Sequence, residues 1–238
     1  MELVWNDEFD GNNINNAFWS NDNGTGCPNL CGWGNNELEF YRTQNTWVEN
    51  GTMVLEAREE YFQGSDYTSG KVVSRDKMSV HYGRIDIRAL MPKGKGIWPA
   101  LWLLGINQAT VGWPKCGEID IMEMVGGNGK ENTVSANAFW DEGGKVDAPQ
   151  LYTLSAGTFA DKYHVFSLLW NEQSLQFYVD DQLYHTIDIS SEERNEFQKP
   201  FYMILNVAVG GNWPGSPDET TQFPTSMKVD YVRVFRFE

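Results

Sequence analysis

Glu118, Asp120 and Glu123 fall within one segment, Gly117-Glu118-Ile119-Asp120-Ile121-Met122-Glu123-Met124. In an extended strand side chains alternate between faces, so Glu118 and Asp120 share one face and Ile119 and Ile121 the other. Strict alternation would then drive Glu123 into the apolar face, where a lone carboxylate is costly. One extra residue at Ile121-Met122, a β-bulge, removes the conflict. With it, Glu118, Asp120 and Glu123 point together, and Ile119, Ile121 and Met124 form an apolar underside. Three clustered carboxylates repel one another, which raises the pKa of at least one. That asymmetry suits glycoside hydrolysis, in which one carboxyl is ionised and another protonated. Retaining enzymes hold the two working carboxyls about 5–5.5 Å apart. Four strand steps would separate the backbones of Glu118 and Glu123 by about 13 Å, so their side chains must lean together. The same pattern also fits a solvated acidic strand face or a calcium site, although calcium sites usually draw on loops.

A platform for sugar precedes this segment. In Ile97-Trp98-Pro99-Ala100-Leu101-Trp102-Leu103-Leu104, alternation puts Trp98, Ala100 and Trp102 on one face and Leu101 and Leu103 on the other. Tryptophan is more often core than platform. Here the opposite face is already apolar, so the pair is assigned to stacking on pyranose rings. Pro99 removes a ladder donor, which predicts an edge or an irregular strand. Trp213, in Gly210-Gly211-Asn212-Trp213-Pro214-Gly215, is placed to wall a groove.

The elements that must carry these residues read as strands. Arg84 to Leu90 alternates with period two, and Ser174 to Tyr184 reads as a hairpin turning at Asp180-Asp181. Lys228 to Phe237 reads as a final strand with Val232 and Val234 on one face. Turn signals recur at sandwich spacing. The only helix expected is short, around Ser190 to Glu196, capped by Ser190 or Ser191. Neither linker nor repeat is apparent, and 238 residues suffice for one large all-β domain, 1–238. Antiparallel strands throughout predict two stacked sheets, one able to curve around a long ligand.

Charge and composition narrow the partners. A formal net charge of −15 argues against nucleic acid or an anionic membrane, and mildly against a polyanionic sugar. No apolar run approaches the roughly 20 residues needed to span a bilayer. Met1 runs straight into Glu2-Leu3-Val4-Trp5, which already patterns as a strand, with no leader segment visible. Cys27 and Cys31 enclose Pro28-Asn29-Leu30 and either form a local disulfide or remain two thiols, and Cys116 is distant. No second close pair of Cys or His is present to complete a zinc site. His81, His164 and His185 all lie in strand or hairpin patterns and read as structural.

Taken in order, these segments resemble glycoside hydrolase family 16, in its laminarinase-like branch. The resemblance rests on Trp5-Asn6-Asp7-Glu8-Phe9, Gly32-Trp33-Gly34-Asn35-Asn36-Glu37, Tyr82-Gly83-Arg84 and Pro92-Lys93-Gly94 through Trp102. It continues through Gly117 to Glu123, Leu205 through Trp213, and Val229-Asp230-Tyr231-Val232-Arg233-Val234. It implies a concanavalin A-like β-jelly roll of two curved antiparallel sheets with a concave cleft. By position it implies Glu118 as nucleophile, Glu123 as acid/base and Asp120 between them, with Asn36, Trp98, Trp102 and Trp213 contacting sugar. It also implies a structural calcium on the convex side, held by Glu8, the Gly51 carbonyl and Asp230; catalysis itself needs no cofactor.

Two departures bear on specificity. The branch commonly carries histidines after the active strand, where this chain has Ser135 and Phe139 in Thr133 to Trp140. It often has arginine where Lys71 stands. The implied protein is a secreted, cell-surface or periplasmic monomer that cleaves β-1,3-glucan internally. A mixed-linkage β-1,3/1,4-glucanase, a marine galactan hydrolase or a transglycosylase of the same family is the alternative within enzymes. A lectin-like glucan-binding module is the alternative outside them, but such modules typically lose the catalytic carboxylates.

Overall fold

The computed structural model describes residues 1–238. Its strands, in chain order, begin with β1 (Glu2–Asp7), β2 (Ser20–Asn21), β3 (Glu39–Tyr41), β4 (Thr46–Glu49), β5 (Thr52–Phe62) and β6 (Ser65–Ser69). Next come β7 (Lys71–Val73), β8 (Gly83–Leu90), β9 (Ile97–Gly105), β10 (Glu118–Glu123), β11 (Thr133–Asp141) and β12 (Lys145–Asp147). The chain closes with β13 (Gln150–Thr153), β14 (His164–Trp170), β15 (Ser174–Val179), β16 (Gln182–Asp188), β17 (Phe201–Val209) and β18 (Thr225–Arg236).

They form two sheets, a β-jelly-roll sandwich. One has ten strands in the order β16-β15-β14-β8-β18-β5-β6-β3, with β1 and β4 attached to β18 and β5. The other has eight in the order β12-β11-β10-β9-β17-β7-β2, with β13 attached to β11. Alternation explains why they stack. On β9, Ile97, Leu101 and Leu103 enter the core, as do Ile85, Ile87 and Ala89 of β8 on the other sheet. One cluster of 42 buried residues fills the space between the sheets, which leaves the opposite face of the eight-stranded sheet free for a site.

The hairpin at Asp180-Asp181 and the final strand form as expected; both aspartates have positive φ in the turn, 47° and 62°. Three expectations are corrected. The pairing is not antiparallel throughout, because β3 runs parallel to β6. The expected helix is a 3-10 segment, Glu192–Gln198, whose preceding residue Ser191 makes no side-chain cap, and it is not the only helix, because Gln108–Val111 forms a short α-helix. Pro99 is not on an edge: β9 lies between β10 and β17. The proline is tolerated at the end of the β10 ladder, where its carbonyl accepts from Met124 N–H (3.2 Å) and facing Val207 donates instead to Gly70 (3.2 Å). Cys27 and Cys31 are disulfide-bonded, and Cys116 is free and buried.

Candidate active site

The register of β10 decides where its carboxylates point. Glu118, Asp120 and Glu123 stand opposite Leu104, Trp102 and Ala100 on β9, and opposite Phe139, Asn137 and Ser135 on β11. Every second residue of each neighbour is used, while β10 spends three residues on its last step. The extra one lies between Asp120 and Met122, so the inferred bulge is present. Ile119, Ile121, Met122 and Met124 all join the core, and the three carboxylates share the cleft face. Four positions of β9 separate the ends of the trio, about 13 Å of backbone. Gly117 leads the strand in with φ 76°; a Cβ there would sit 2.7 Å from the Phe201 ring and 3.0 Å from Glu196 Cβ, so only glycine fits.

Cross-strand rows extend this lattice over the sheet. The Glu123 row reads Lys71, Asn206, Ala100, Glu123, Ser135, Leu151 across six strands. At about 4.8 Å per strand it spans about 24 Å, long enough for a run of several sugar rings. A cleft of about 820 Å³ follows it.

Trp98 and Trp102 both line this cleft, and each is fixed by its indole N–H. Trp98 donates to Glu123 Oε1 (3.0 Å) and Trp102 to Asn206 Oδ1 (2.7 Å). Trp213 also lines it, meeting Trp98 edge-on with centroids 5.6 Å apart. Asn36 does not line it: its amide donates to Asn212 Oδ1 (2.8 Å) across the rim, and Gly34, Asn35 and Glu37 face the cleft instead. The backbone turn at Asn36, with φ 58°, is what diverts it.

Several cleft residues carried no expectation. Trp33 was quoted in a motif without a role; it covers the Lys71 ammonium at 3.7 Å from its centroid. Trp113 and Phe139 lie 5.7 Å apart near Glu118, with Lys145 Nζ 5.2 Å from the Phe139 ring. Trp113 sits on an irregular loop and Lys145 past the Gly143-Gly144 turn, so neither belongs to a periodic pattern that could have exposed it. The three histidines lie outside the cleft; His164 binds Asp180 (2.7 Å) and His185 the Ala148 carbonyl (2.8 Å).

Burial raises every member of the trio, and repulsion within the trio adds to it at Glu118 and Asp120. Glu118 is pushed up to about 8, by burial and then by Glu123, against hydrogen bonding from Trp113 and the attraction of Lys71 and Lys145. Glu123 is pushed up to about 7, by burial, with Trp98 opposing and Glu37 assisting. Asp120 is held well above the usual carboxylate range by burial, then by Glu123 and Glu118; it is 2% exposed, and its Oδ2 has no partner. Protons are therefore shared by the trio at neutral pH. Lys71 and Lys145 favour the ionised form of Glu118 and so moderate its rise.

The model for Glycosyl hydrolases family 16 matches residues 34–233. The chain belongs to glycoside hydrolase family 16. It is 38% identical to a "Beta-glucanase" of Rhodothermus marinus, covering 99% of this chain and 85% of that protein. It is 35% identical to "Glucan endo-1,3-beta-glucosidase A1" of Niallia circulans, again over 99% of this chain but only 38% of the longer relative. Among solved structures, the laminarinase catalytic domain from Thermotoga maritima MSB8 is 44% identical with a TM-score of 0.92, covering 100% of this chain and 98% of that one.

Within family 16, the two departures noted above fall in the cleft or against it. Ser135 and Phe139 line it, and Lys71 is buried at 6% exposure behind Trp33. The implied calcium positions do not fit a cation as arranged. Both oxygens of Glu8 accept from Arg233 (2.9 Å each), and Asp230 accepts from Arg88 (2.6 Å). A divalent ion on these positions would have to displace the Arg233 guanidinium from both oxygens of Glu8.

The trio also makes stability depend on pH. Its folded-state pKa values lie above those of an unfolded carboxyl, about 4. The unfolded chain thus releases these protons first, and the trio's contribution falls as pH rises from about 4 towards 8. Asp120→Asn should therefore be more stable than the parent at pH 8, with the gap closing towards pH 4. Calorimetric Tm values across that range test this; a gap independent of pH would contradict it.

Proposed function

We propose that residues 1–238 form one catalytic domain that cleaves β-1,3-linked glucan internally with retention. The observation that carries this reading is the trio itself: three carboxylates on one face of β10, midway along a tryptophan-flanked cleft, in a family 16 member. Glu118 attacks the anomeric carbon while Glu123 gives its proton to the departing glycosidic oxygen, so the C–O bond breaks as the glycosyl ester forms. Glu123, now ionised, takes a proton from water; the hydroxyl adds to the anomeric carbon and the Glu118 carboxylate leaves. Asp120, between them, holds a shared proton and damps the change in charge. No cofactor enters either step. Trp98, Trp102 and Trp213 hold sugar faces, and Asn36 braces the rim.

A neutral polysaccharide suits the acidic chain. A polymeric substrate and the Cys27–Cys31 disulfide both favour an extracellular or periplasmic setting. No helix is long and apolar enough to cross a membrane. The cleft is built by one chain, so a monomer is sufficient. Ser135 and Phe139 beside the carboxylates favour, as a second reading, tolerance of mixed β-1,3/1,4 linkages.

A reducing-sugar assay on laminarin, mixed-linkage glucan, agarose and carrageenan, followed by NMR of the first-formed anomer, tests the proposal. Laminarin should be cleaved with the β-anomer appearing first. Early α-anomer would remove the two-glutamate assignment, and cleavage of agarose or carrageenan alone would remove the substrate.

A further inference from the structure

Trp102 is not held by packing alone. Its indole N–H donates to Asn206 Oδ1 (2.7 Å), Asn206 Nδ2 donates to the Tyr41 hydroxyl (3.1 Å), and Tyr41 donates to Glu37 Oε2 (3.1 Å). Glu37 Oε1 accepts in turn from Asn35 Nδ2 (3.0 Å). The polarity of this chain of bonds is fixed at both ends, because an indole only donates and a carboxylate only accepts. The Asn206 amide therefore has one permitted orientation, and the Tyr41 proton one destination. Tyr41 is fully buried at 0% exposure and Asn206 nearly so at 7%. Burial lifts the Tyr41 phenol well above its usual range, which keeps it a donor. The remaining faces are filled as well: the Lys71 ammonium lies between the rings of Trp33, Tyr41 and Trp102, at 3.7, 5.5 and 5.7 Å.

We infer that Tyr41 and Asn206 are positioning residues that preset the tilt of Trp102 as a sugar platform, through a one-way hydrogen-bond relay ending on the cleft-wall carboxylate Glu37. The inference rests on the proposal that Trp102 stacks on sugar. An indole free to swing would lose orientational entropy on each binding event, whereas this one has lost it on folding. Tyr41 touches no substrate, since its hydroxyl is enclosed behind the floor. Its effect must pass through the ring it helps to hold.

The test is a double-variant cycle in the Glu118→Gln background, where a β-1,3-linked glucotetraose stays intact and its affinity is read by calorimetry. Tyr41→Phe removes one oxygen and adds no volume. It removes both bonds of the hydroxyl and should weaken binding about five- to tenfold through the loosened indole. Tyr41→Phe combined with Trp102→Ala should bind no more weakly than Trp102→Ala alone. With Glu118 intact, Tyr41→Phe should raise KM about five- to tenfold with kcat within about twofold. A loss that adds in full to that of Trp102→Ala, or parent-like binding by Tyr41→Phe, overturns the inference. Parent-like binding by Trp102→Ala overturns the platform reading itself, a result visible in that single variant. Should Tyr41→Phe not fold, Asn206→Leu, which removes both of its bonds at similar volume, replaces it in the same cycle.

Discussion

Glu118→Gln is expected to lower kcat by on the order of 10⁴-fold or more while the fold survives. No other group on the cleft face can take its place: Asp120 is enclosed with a partnerless oxygen, and Glu123 is engaged by Trp98. The amide keeps shape and volume but cannot form the glycosyl ester. Stability should hold or rise, because a buried carboxyl that Glu123 repels and that repels Asp120 is gone. Single-turnover assays with an activated aryl glycoside distinguish this from a binding defect. The variant should bind oligosaccharide and release no aryl alcohol in the first turnover. Residual first-turnover release near the parent rate would mean that another residue is the nucleophile.

The second large effect concerns the bulge. Glu123 shares a face with Glu118 only because β10 carries one residue more than its neighbours between Asp120 and Glu123. Deleting Met122 restores strict alternation and turns Glu123 or its neighbours towards the wrong face. Activity should fall to the level of Glu123→Ala, although every carboxylate remains in the chain. Glu123→Ala should itself slow natural glucan by about 10²–10⁴-fold, yet spare the first step for an aryl glycoside whose leaving group needs no proton. Azide should then rescue the second step and yield a β-glycosyl azide. A fully active Met122 deletion would show that the extra residue has no part in aiming Glu123.

Much of this site was readable because its physics is local. The bulge followed from the cost of sending Glu123 among Ile119 and Ile121, and the shared cleft face of Trp98 and Trp102 from their period-two spacing. What stayed hidden depends on contacts far apart in the chain. Asn206 sits in the apolar run Ile204 to Val209, and only its place beside Trp102 gives it a task. Lys145 and Trp113 reach the cleft from a turn and a loop. Of the two readings of Pro99, the edge fails and the irregular strand stands, because the β10 ladder ends beside it after the bulge. Asn36 is tied to Asn212 on the rim, a direction that its motif position did not give.

The rim tie between Asn36 and Asn212 joins residues 176 apart in the chain, and the neighbouring Asn212 N–H to Asn35 carbonyl bond (2.8 Å) doubles it. Neither loop contributes a member of the β10 trio, although the first carries Glu37, and each satisfies polar groups of the other. Grafting one loop from a relative would therefore strand its partner's donors and acceptors, whereas grafting both together would leave β10 and its register untouched. The cleft mouth is thus a two-piece exchangeable part, and attempts to redirect linkage preference by recombination should place their crossovers so that the two loops travel as a pair.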